Sequence, residues 1–575
     1  MNQTRVFLIF AWLMVATLLW MEWGKEKAAP PAPANTAAAV MTSSVPSASN
    51  ATVAAGVPTV PNTPASVSAA PVASTSAGGT PVTVTTDVLK VVLVGGELRQ
   101  ADLLHYPSTS AAGSVPVRLL DADPARLFVA QSGWVSNAGP APSHEAGFVP
   151  EIATTGTNAA TPEFALADGA ASVVVPFVWT GANGVTIRRT YTFKRGDYVV
   201  DVRDDVVNAG AAPWQGFVYR QLSRVPRALV SKGPMSAESY SFQGAAWFSA
   251  TDKYEKRKFD DFVDDGTLDK PVTGGWIGML QHHFFAAWIP ATGDASTFSL
   301  ATPQGAGGSQ YLIREVGPGI NVAPGATAST QARLWVGPKL VKQIEAQNVP
   351  GLERAVDFSS YAMFATIAGW LFWVLERIHG LIGNWGWAII GLVVLIKAAM
   401  YPLSAAQYKS MAKMRKFQPR IAQLKERYGD DKQKFQQAMM ELYKKEKINP
   451  VGGCLPILLQ MPVFLALYWM LSESVELRHA PWIGWIQDLT ARDPYFVLPV
   501  INMAVMWATQ KLTPLAPGMD PMQAKMMQMM PLVFGVMFAF FPAGLVLYWI
   551  TNSGLGLLQQ WWMTKRYSQE APATA

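Results

Sequence analysis

The sequence has little of what disulfide-crosslinked folds, metal sites and nucleotide sites depend on. It has one cysteine, Cys454, in 575 residues, which excludes a framework of disulfide bonds within the chain. It has six histidines, and they show no metal-ligand spacing. No glycine-rich phosphate-binding loop is present either. We therefore expect no metal, no cofactor and no catalytic residue, and a protein that is not an enzyme.

Charged residues are also scarce, at 15% against 50% hydrophobic residues. The apolar residues concentrate in residues 5–23 and again from about 360 onward, which is typical of a membrane protein. The first run follows Arg5 and lacks a small-residue cleavage site close behind it, so we expect an uncleaved anchor in 1–27 rather than a signal peptide. Residues 28–80 are almost wholly Ala, Pro, Ser, Thr, Val and Gly, and this composition predicts a disordered linker.

Residues 81–345 have the pattern of a β domain. Alternating or β-branched runs predict strands at Val82–Thr86, Ser172–Thr180, Val185–Phe193 and Tyr198–Val207, with turns at 182–184 and 195–197. We expect one large antiparallel sandwich. Four histidines fall here, and one of them with Glu315 could serve acid–base chemistry on a sugar. We expect scattered surface histidines instead: His105, His144, His282 and His283.

The last 220 or so residues alternate apolar runs with polar loops. Candidate membrane spans are Trp385–Ala406, Leu455–Leu471, Tyr495–Leu512, Met522–Phe541 and Gly544–Met563. Several are near the minimum of about 17 residues for a span, so we expect local thinning of the bilayer.

Charge in the loops predicts the topology. Residues 407–453 hold twelve Lys/Arg and five Asp/Glu, which places this loop in the cytoplasm together with the N-terminus. Only one crossing is then allowed between the β domain and the loop. We therefore predict that 357–380, within a segment 346–384, is an interfacial helix on the outer face, with Trp370, Trp373, Glu376 and Arg377 at the headgroups. Six spans result, with both termini inside.

The basic loop has the pattern of a helical hairpin over 407–449. Apolar residues recur at helical spacing on both sides of Gly429, and Asp430 with Gln433 predicts a capping box. The hairpin is either two helices packed on each other with solvated lysines outside, or a docking arm for anionic lipid, ribosomal RNA or an acidic partner. Its candidate contact residues are Lys409, Lys413, Arg415, Lys416, Arg420, Lys425 and Arg427.

One cation, Lys397, interrupts the apolar run that starts at Trp385. At 1.5 Å per residue it lies roughly 18 Å from the outer boundary, past the midplane of the bilayer. Charges at such depth usually face a bundle interior or a water-filled cavity, although a lysine near the cytoplasmic edge can also extend to the headgroups.

Polar residues on the other spans favour the cavity. Tyr548, Asn552 and Gln559 share one face of the last span, although some of these residues are expected to hydrogen-bond between helices. The candidate groove residues are Lys397, Gln460, Asn502, Gln528, Tyr548, Trp549 and Asn552. Methionines at the entry of the fifth span, namely Met519, Met522, Met526, Met527, Met529 and Met530, are either core filler or a surface that accepts many apolar partners.

Several motifs resemble the YidC/Oxa/Alb family of membrane insertases, in its Gram-negative form with a large periplasmic domain. In the helical region they are Met400-Tyr401-Pro402-Leu403, Tyr408-Lys409-Ser410-Met411-Ala412-Lys413-Met414, Asn449-Pro450-Val451-Gly452-Gly453-Cys454-Leu455-Pro456, Gln460-Met461-Pro462 and Phe541-Pro542-Ala543-Gly544-Leu545. Phe193-Lys194-Arg195-Gly196-Asp197-Tyr198 and Gly274-Gly275-Trp276 are similar to the family's periplasmic domain. The resemblance covers nearly everything but the linker.

The resemblance implies a polytopic α-helical membrane protein of the bacterial inner membrane. Six transmembrane helices are implied, five of them (385–563) forming a core with a hydrophilic groove, plus a periplasmic β-supersandwich similar in shape to sugar mutarotases. The family nearly always has arginine at the position of Lys397. Lysine loses its proton more readily than arginine when desolvated, so the groove must be hydrated if the cation is needed. The tail 564–575 is short and weakly basic, which moves any ribosome contact to the hairpin.

The expected function is that of a membrane protein insertase and chaperone that works without nucleotide hydrolysis. Its expected partners are nascent membrane proteins, the phospholipid bilayer, and, by resemblance, the Sec translocon and the ribosome, with no specific nucleic acid. The alternative is a solute transporter or channel that uses Lys397 as a charge site, although no broken helices in two matching halves support it.

Overall fold

A computed structural model describes residues 79–145, 147–151, 162–226, 241–264, 268, 270–359, 361–405, 407, 417–429, 431–445, 455–512 and 521–569. The predicted anchor 1–27 and almost all of the predicted linker 28–80 lie outside these residues, as does the end of the tail.

The N-terminal part of the described chain is a β domain of 21 strands. They are β1 (Val82–Thr85), β2 (Leu89–Val94), β3 (Glu97–Pro107), β4 (Pro116–Leu120), β5 (Phe128–Ser136), β6 (Val149–Pro150), β7 (Glu163–Ala165), β8 (Ser172–Thr180), β9 (Val185–Lys194), β10 (Val199–Asn208), β11 (Trp214–Arg224), β12 (Gly244–Ser249), β13 (Lys253–Lys258), β14 (Lys270–Thr273), β15 (Gly275–Leu280), β16 (Phe284–Pro290), β17 (Ala295–Ala301), β18 (Gln304–Gly305), β19 (Gly308–Ser309), β20 (Tyr311–Val322) and β21 (Thr327–Pro338). The four predicted strands are present, with bounds within one residue of the prediction.

Two large sheets face each other in this domain. The first has ten strands in the order β14-β17-β20-β11-β5-β3-β2-β1-β7, with β4 paired to β3, and the second has nine in the order β13-β12-β15-β16-β21-β10-β9-β8-β6. Neighbouring strands are antiparallel except β1 and β7, which run parallel. The predicted antiparallel sandwich is therefore confirmed.

Large aromatic side chains fill the space between the sheets, because alternate residues of each strand point inward. Six tryptophans are fully buried there: Trp134, Trp214, Trp247, Trp276, Trp288 and Trp335. A buried ion pair within the second sheet also forms hydrogen bonds with the first sheet. Arg189 binds Asp204 through Nε at 2.7 Å and Nη2 at 2.6 Å, and the Trp134 indole of the facing sheet donates to Asp204 at 2.7 Å. The pair is satisfied by further hydrogen bonds, as a buried charge requires.

Ten α-helices have their bounds within the described residues, and residues 401–405 and 407 are helical as well. They are α1 (Asp261–Asp264), α2 (Val341–Ala346), α3 (Ala362–Ile382), α4 (Trp385–Ala399), α5 (Gln418–Tyr428), α6 (Lys432–Lys445), α7 (Leu455–Glu473), α8 (Val497–Leu512), α9 (Pro521–Phe538) and α10 (Ala543–Gln569). Helix α10 contacts α4, α7 and α8, helix α9 contacts α8, and α3 contacts α4 and α7. None of the helices in the described part of the chain combines the length and the hydropathy of a membrane span.

The turn between α3 and α4 is fixed by two residues. Gly383 has a positive φ of 74° and ends α3, a conformation that glycine adopts without strain. Asn384 then caps α4 by accepting from the Trp387 amide at 3.1 Å, and its side-chain amide donates to the Trp482 carbonyl at 3.0 Å. The start of α4 is thus held against the loop that follows α7.

Helix α3 corresponds to the predicted interfacial helix. Its buried face, Phe364, Ala368, Phe372 and Leu375, packs inward, while Trp370 and Trp373 are 77% and 58% exposed. The Glu376 carboxylate pairs with Lys342 of α2 at 2.8 Å, and its position at the headgroups stays a prediction.

Candidate functional site

The polar residues of α7 and α10 meet inside the helical region. Gln460 Nε2 donates to Asn552 Oδ1 at 3.1 Å. Tyr548 lies one helical turn before Asn552 and is buried. The sequence-predicted residues Gln460, Tyr548 and Asn552 are therefore brought together.

Lys397 lies on α4 beside the same face of α10. A Cβ built on Gly556 would lie 3.7 Å from Lys397 Nζ. Gly556 follows Asn552 by four residues, so Tyr548, Asn552 and Gly556 form one stripe, which we call the polar face of α10. Within the described parts of the chain, Lys397 forms no ion pair, and its side chain is partly exposed. The Lys397 amino group thus lies near the helix face that carries Tyr548 and Asn552.

Aromatic rings line α10 beside this face. The Trp549 ring lies 4.9 Å from Phe464 of α7 and 5.3 Å from Phe538 of α9, centroid to centroid. The Trp549 indole nitrogen is buried and has no partner among the described residues. Trp549 therefore packs between three helices rather than joining the hydrogen bond of Gln460 and Asn552.

Two predicted groove residues lie elsewhere. Asn502 is fully buried in α8 and its Nδ2 approaches Met506 Sδ at 3.7 Å, while its Oδ1 has no partner in the described residues. Gln528 of α9 is exposed. No hydrogen bond in the described region joins either of them to Lys397, Gln460 or Asn552. A polar residue within an apolar run can be identified from the sequence, but the sequence does not indicate which neighbouring helix that residue faces.

The methionines of α9 form an exposed apolar surface. Met522, Met526, Met529 and Met530 are 72%, 64%, 49% and 47% exposed. Met519 and the Met527 side chain lie outside the described residues. The exposure disfavours core filler for these four, because core side chains are buried.

The basic hairpin consists of α5 and α6 packed on each other. Ile421 and Tyr443 are buried between them, against Phe417, Phe435, Met439 and Leu442. The cap of α6 is one residue later than predicted, since Asp431 Oδ1 accepts from the amides of Gln433 and Lys434 at 3.2 and 3.1 Å. Arg420, Lys425 and Arg427 are exposed. Lys409, Lys413, Arg415 and Lys416 lie outside the described residues.

The C-terminal end of α7 is bound to the β domain at a buried junction that the sequence did not predict. The Ser472 carbonyl accepts from His282 Nε2 at 2.8 Å, and Ser241 Oγ donates to Glu473 Oε1 at 2.9 Å. Three residues on, Glu476 accepts from the Val341 amide at 3.4 Å. We call this contact the domain junction. It brings together residues that are 135 to 232 positions apart, so no local pattern could indicate it.

Burial controls the ionisation of the groups at the domain junction, which lies beyond the predicted span Leu455–Leu471. Desolvation raises the pKa of Glu473 and of Glu476 to about 7. Desolvation lowers the pKa of His282 to about 4 and that of the stacked His283 well below its ordinary value. Lys339 is buried beside them with no hydrogen-bond partner for its Nζ among the described residues, and burial lowers its pKa.

The histidines of the β domain are not scattered on the surface as predicted. His144 and His283 are buried, and only His105 of the four is exposed. His144 Nδ1 lies 2.7 Å from the Tyr219 hydroxyl, and burial lowers the pKa of His144 to about 4. Glu315 binds Arg220 at 3.0 Å instead of a histidine. Pattern reasoning missed this because a short stretch of sequence does not reveal burial that comes from tertiary packing.

Other site types have little support in the described residues. No group of three or more His, Cys, Asp or Glu side chains in the described ranges is placed to hold a metal ion. A cleft of about 510 Å³ lies on the second sheet of the β domain, with Asp201, Arg203, Gln331 and Arg333 in its lining. Arg203 is paired with Asp205 at 2.8 Å and Arg333 binds the Gln347 carbonyl at 3.1 Å, so these cations already have partners.

Known proteins similar to this chain share its division into a β domain and a helical region. Residues 81–374 match the family described as the YidC periplasmic domain, and residues 377–570 match the family described as the 60Kd inner membrane protein. A membrane protein insertase YidC of Stenotrophomonas maltophilia (strain R551-3) is 59% identical over 576 residues, covering 100% of this chain and 98% of that protein. Another, of Xanthomonas euvesicatoria pv. vesicatoria (strain 85-10), is 56% identical over 579 residues, covering 99% and 98%. A crystal structure of an active YidC insertase is 19% identical with a TM-score of 0.35, covering 84% of this chain and 94% of that chain, and this looser similarity carries no argument.

Proposed function

Because the chain belongs to the YidC family of membrane protein insertases, we propose that it inserts transmembrane segments of nascent proteins into the bacterial inner membrane. The insertion takes place at a hydrated groove between α4, α7 and α10. In this proposal six spans leave both termini in the cytoplasm and the β domain in the periplasm. Helix α3 lies on the periplasmic surface of the inner membrane.

One observation supports the proposed groove. The Lys397 amino group lies beside the polar face of α10, where Gln460 and Asn552 are hydrogen-bonded. A charge on a span is costly unless it faces a water-filled or polar interior. Nearby amide and hydroxyl groups supply that polar interior. The same groups make the neighbourhood suitable for the polar tail of a substrate.

In the proposed mechanism, Lys397 attracts the polar, often acidic, N-terminal tail of a substrate into the groove. The substrate's apolar segment leaves sideways along α7 and α9, where Met522 and Met526 present flexible apolar side chains. Transfer of that segment into lipid supplies the free energy, roughly 25 cal/mol per Å² of apolar surface. Nucleotide hydrolysis is not needed.

The hairpin and the translocon complete the proposal. Arg420, Lys425 and Arg427 are exposed on one helix, a distribution that suits anionic lipid or ribosomal RNA. We place the ribosome contact there and propose that the chain also works beside the Sec translocon.

The test is photocrosslinking to a stalled nascent chain with one apolar segment. A crosslinker replaces Gln460 or Asn552, and a matched control replaces Leu395, which lies on α4 two residues before Lys397 and is 52% exposed. We expect crosslinks from positions 460 and 552 to the substrate and few from 395. Equal crosslinking from all three positions, or a solute flux that depends on Lys397 while insertion does not, would contradict the proposal and favour a transporter.

A further inference from the structure

The loop that joins α7 to α8 keeps its carboxylates away from its surface. Residues 474–496 all belong to the described chain, and their acidic residues are Glu476, Asp488 and Asp493. Glu476 lies in the domain junction. The Asp488 side chain is 14% exposed, and its Oδ1 accepts from the Thr490 amide at 2.8 Å. Within this fully described loop, no acidic residue is therefore exposed.

Asp493 is buried and fixes the end of the loop. Its Oδ1 accepts from the Trp485 indole and from the Tyr495 amide, each at 3.0 Å. Its Oδ2 accepts from the Leu498 amide of α8 at 2.7 Å. Both carboxylate oxygens are thus occupied by groups of the loop and of α8. Because the start of α4 is hydrogen-bonded to the same loop, the loop is a fixed part of the helical region.

The residues that this loop exposes are apolar or cationic. Ile483, Trp485, Tyr495 and Phe496 are 54%, 43%, 69% and 43% exposed. The rings of Trp485 and Tyr495 lie 6.3 Å apart, and Arg492, directly before Asp493, is exposed. We call Ile483, Trp485, Arg492, Tyr495 and Phe496 the loop patch. An exposed cluster of this kind is typical of a surface that contacts a membrane or another protein.

Phe496 combines exposure with a strained backbone. Its φ is 56°, in the left-handed region that bulky residues rarely adopt, and such a conformation costs about 1–3 kcal/mol. The Phe496 amide donates to the Asp493 carbonyl at 3.3 Å, which holds the backbone in this conformation. Burial of the ring does not offset the strain fully, because the residue is 43% exposed. Strained residues of this kind cluster at functional sites.

The loop patch lies where two exposed apolar helix faces begin. On α4, Trp387 and Val394 are 44% and 46% exposed and lie two turns apart on one face. The Trp387 ring lies 5.6 Å from that of Trp482 in the loop. On α8, Val500 and Trp507 are 55% and 53% exposed with the same spacing. The loop patch is thus continuous with surfaces that suit lipid.

We propose that the loop patch binds phospholipids of the periplasmic leaflet, with its rings at the level of the glycerol backbone and Arg492 at a phosphate. This inference rests on the proposed placement of the helices in the membrane. Tryptophan and tyrosine are enriched at this depth of a bilayer, and a guanidinium forms strong hydrogen bonds to phosphate. A carboxylate at the surface would repel phosphates, and the loop turns its carboxylates inward. The exposed apolar helix faces next to the loop patch favour lipid over a protein partner.

The test measures the depth of a nitroxide label in the purified full chain. The label is attached to Ile483→Cys in a Cys454→Ser background, which removes the chain's one native cysteine. In phospholipid nanodiscs, the ratio of its collisions with oxygen to those with a water-soluble nickel chelate reports immersion in the bilayer. We expect this ratio to be several-fold higher than for a label on Val174→Cys, which replaces an exposed valine of β8. A third label, on Leu395→Cys of α4, checks that the helices lie in the bilayer.

Two variants remove the proposed contacts without removing a buried side chain. Tyr495→Ser with Phe496→Asn deletes two exposed rings, and asparagine tolerates the φ of position 496, so the midpoint of thermal unfolding should not fall. The ratio at 483 should fall toward the ratio at 174. Arg492→Gln should lower the ratio at 483 in phosphatidylglycerol nanodiscs and leave it unchanged in nanodiscs of a phosphate-free glycolipid. Equal losses in the two lipids would overturn the phosphate contact.

The three labels separate this inference from the proposed function. If the label at 395 is immersed while the label at 483 is as open to nickel as the one at 174, the loop patch faces water or a protein partner. This inference then fails, and the placement of the helices stands. If the label at 395 is itself open to nickel, the membrane placement fails and lipid binding by the loop patch fails with it.

Discussion

The domain junction predicts an unusual response to pH. Two carboxyl groups, Glu473 and Glu476, and two imidazoles, His282 and His283, are buried where α7 meets the β domain. All four are buried in the folded chain, and we predict that separation of α7 from the β domain would expose them to water. The perturbation is a pH change between 4 and 7, applied to the wild type and to variants in which one pair no longer titrates.

The carboxyl pair and the imidazole pair change the stability of the docked state in opposite directions as pH rises. Docking raises the pKa of each carboxyl from 4.5 to about 7, so the stability of the docked state is full below pH 4.5 and falls by about 3 kcal/mol per group as pH rises to 7. Docking lowers the pKa of His282 from 6.5 to about 4, so this contribution is present above pH 6.5 and is lost by a similar amount as pH falls to 4. The pKa of His283 moves in the same direction. Between pH 4.5 and 6.5 the pairs therefore compensate each other.

The other charged groups at the domain junction do not change this expectation. Lys256 binds Asp357 at 2.7 Å, and Arg478 donates to the Ser108 carbonyl at 3.2 Å. The lowered pKa of Lys339 acts in the same direction as the histidines, favouring docking at higher pH.

The assay measures the docked fraction of the full chain in nanodiscs by energy transfer between a dye on the β domain and a dye on α10. The variant Glu473→Gln with Glu476→Gln should undock as pH falls from 6.5 to 4, because only the histidines titrate. The variant His282→Gln with His283→Gln should undock as pH rises from 4.5 to 7. The docked fraction of the wild type should change least over this pH range. Equal slopes of the same sign in both variants would refute the assignment of the shifts to burial at this junction.

Three further predictions concern stability, measured as unfolding of the full chain in detergent. Asp204→Asn leaves the buried Arg189 charge without its partner and should lower the free energy of unfolding by about 3–5 kcal/mol. Arg203→Gln removes an exposed ion pair and should lower it by less than about 1 kcal/mol. Similar losses in the two variants would contradict the importance of burial. Gln460→Leu and Asn552→Leu should show a coupling of roughly 0.6 kcal/mol, up to about 1.7, in a double-mutant cycle, and additivity would mean that their hydrogen bond contributes nothing. Gly351→Ala should cost about 1–3 kcal/mol, because φ is 75° there and a Cβ would collide with the Phe248 ring; an unchanged midpoint would show that the loop relaxes.

Local patterns explain the part of the fold that could be predicted. Strands such as Ser172–Thr180 alternate or run β-branched between turn residues, and a strand's bounds follow from those few neighbours. The same holds for α6, although Asp431 caps it where Asp430 had been predicted. Two adjacent aspartates offer the same capping chemistry, so the sequence cannot distinguish them.

The candidate site was predictable only where its residues share a helix face. Tyr548 and Asn552 are four residues apart, and this spacing indicates one face of α10. Lys397 belongs to another helix, and no spacing in the sequence indicates that it lies near this face. The domain junction and the burial of His144 depend wholly on tertiary packing.

The most direct measurement of the central claim is the rate at which Lys397 variants insert a single-span substrate with an acidic tail. Lys397→Arg keeps a cation in the groove and should insert at a rate near that of the wild type. Lys397→Ala should be slower and Lys397→Glu slowest, because a carboxylate repels the tail. If Lys397→Glu inserts this substrate as well as the wild type does, attraction by a groove cation is not how the protein works.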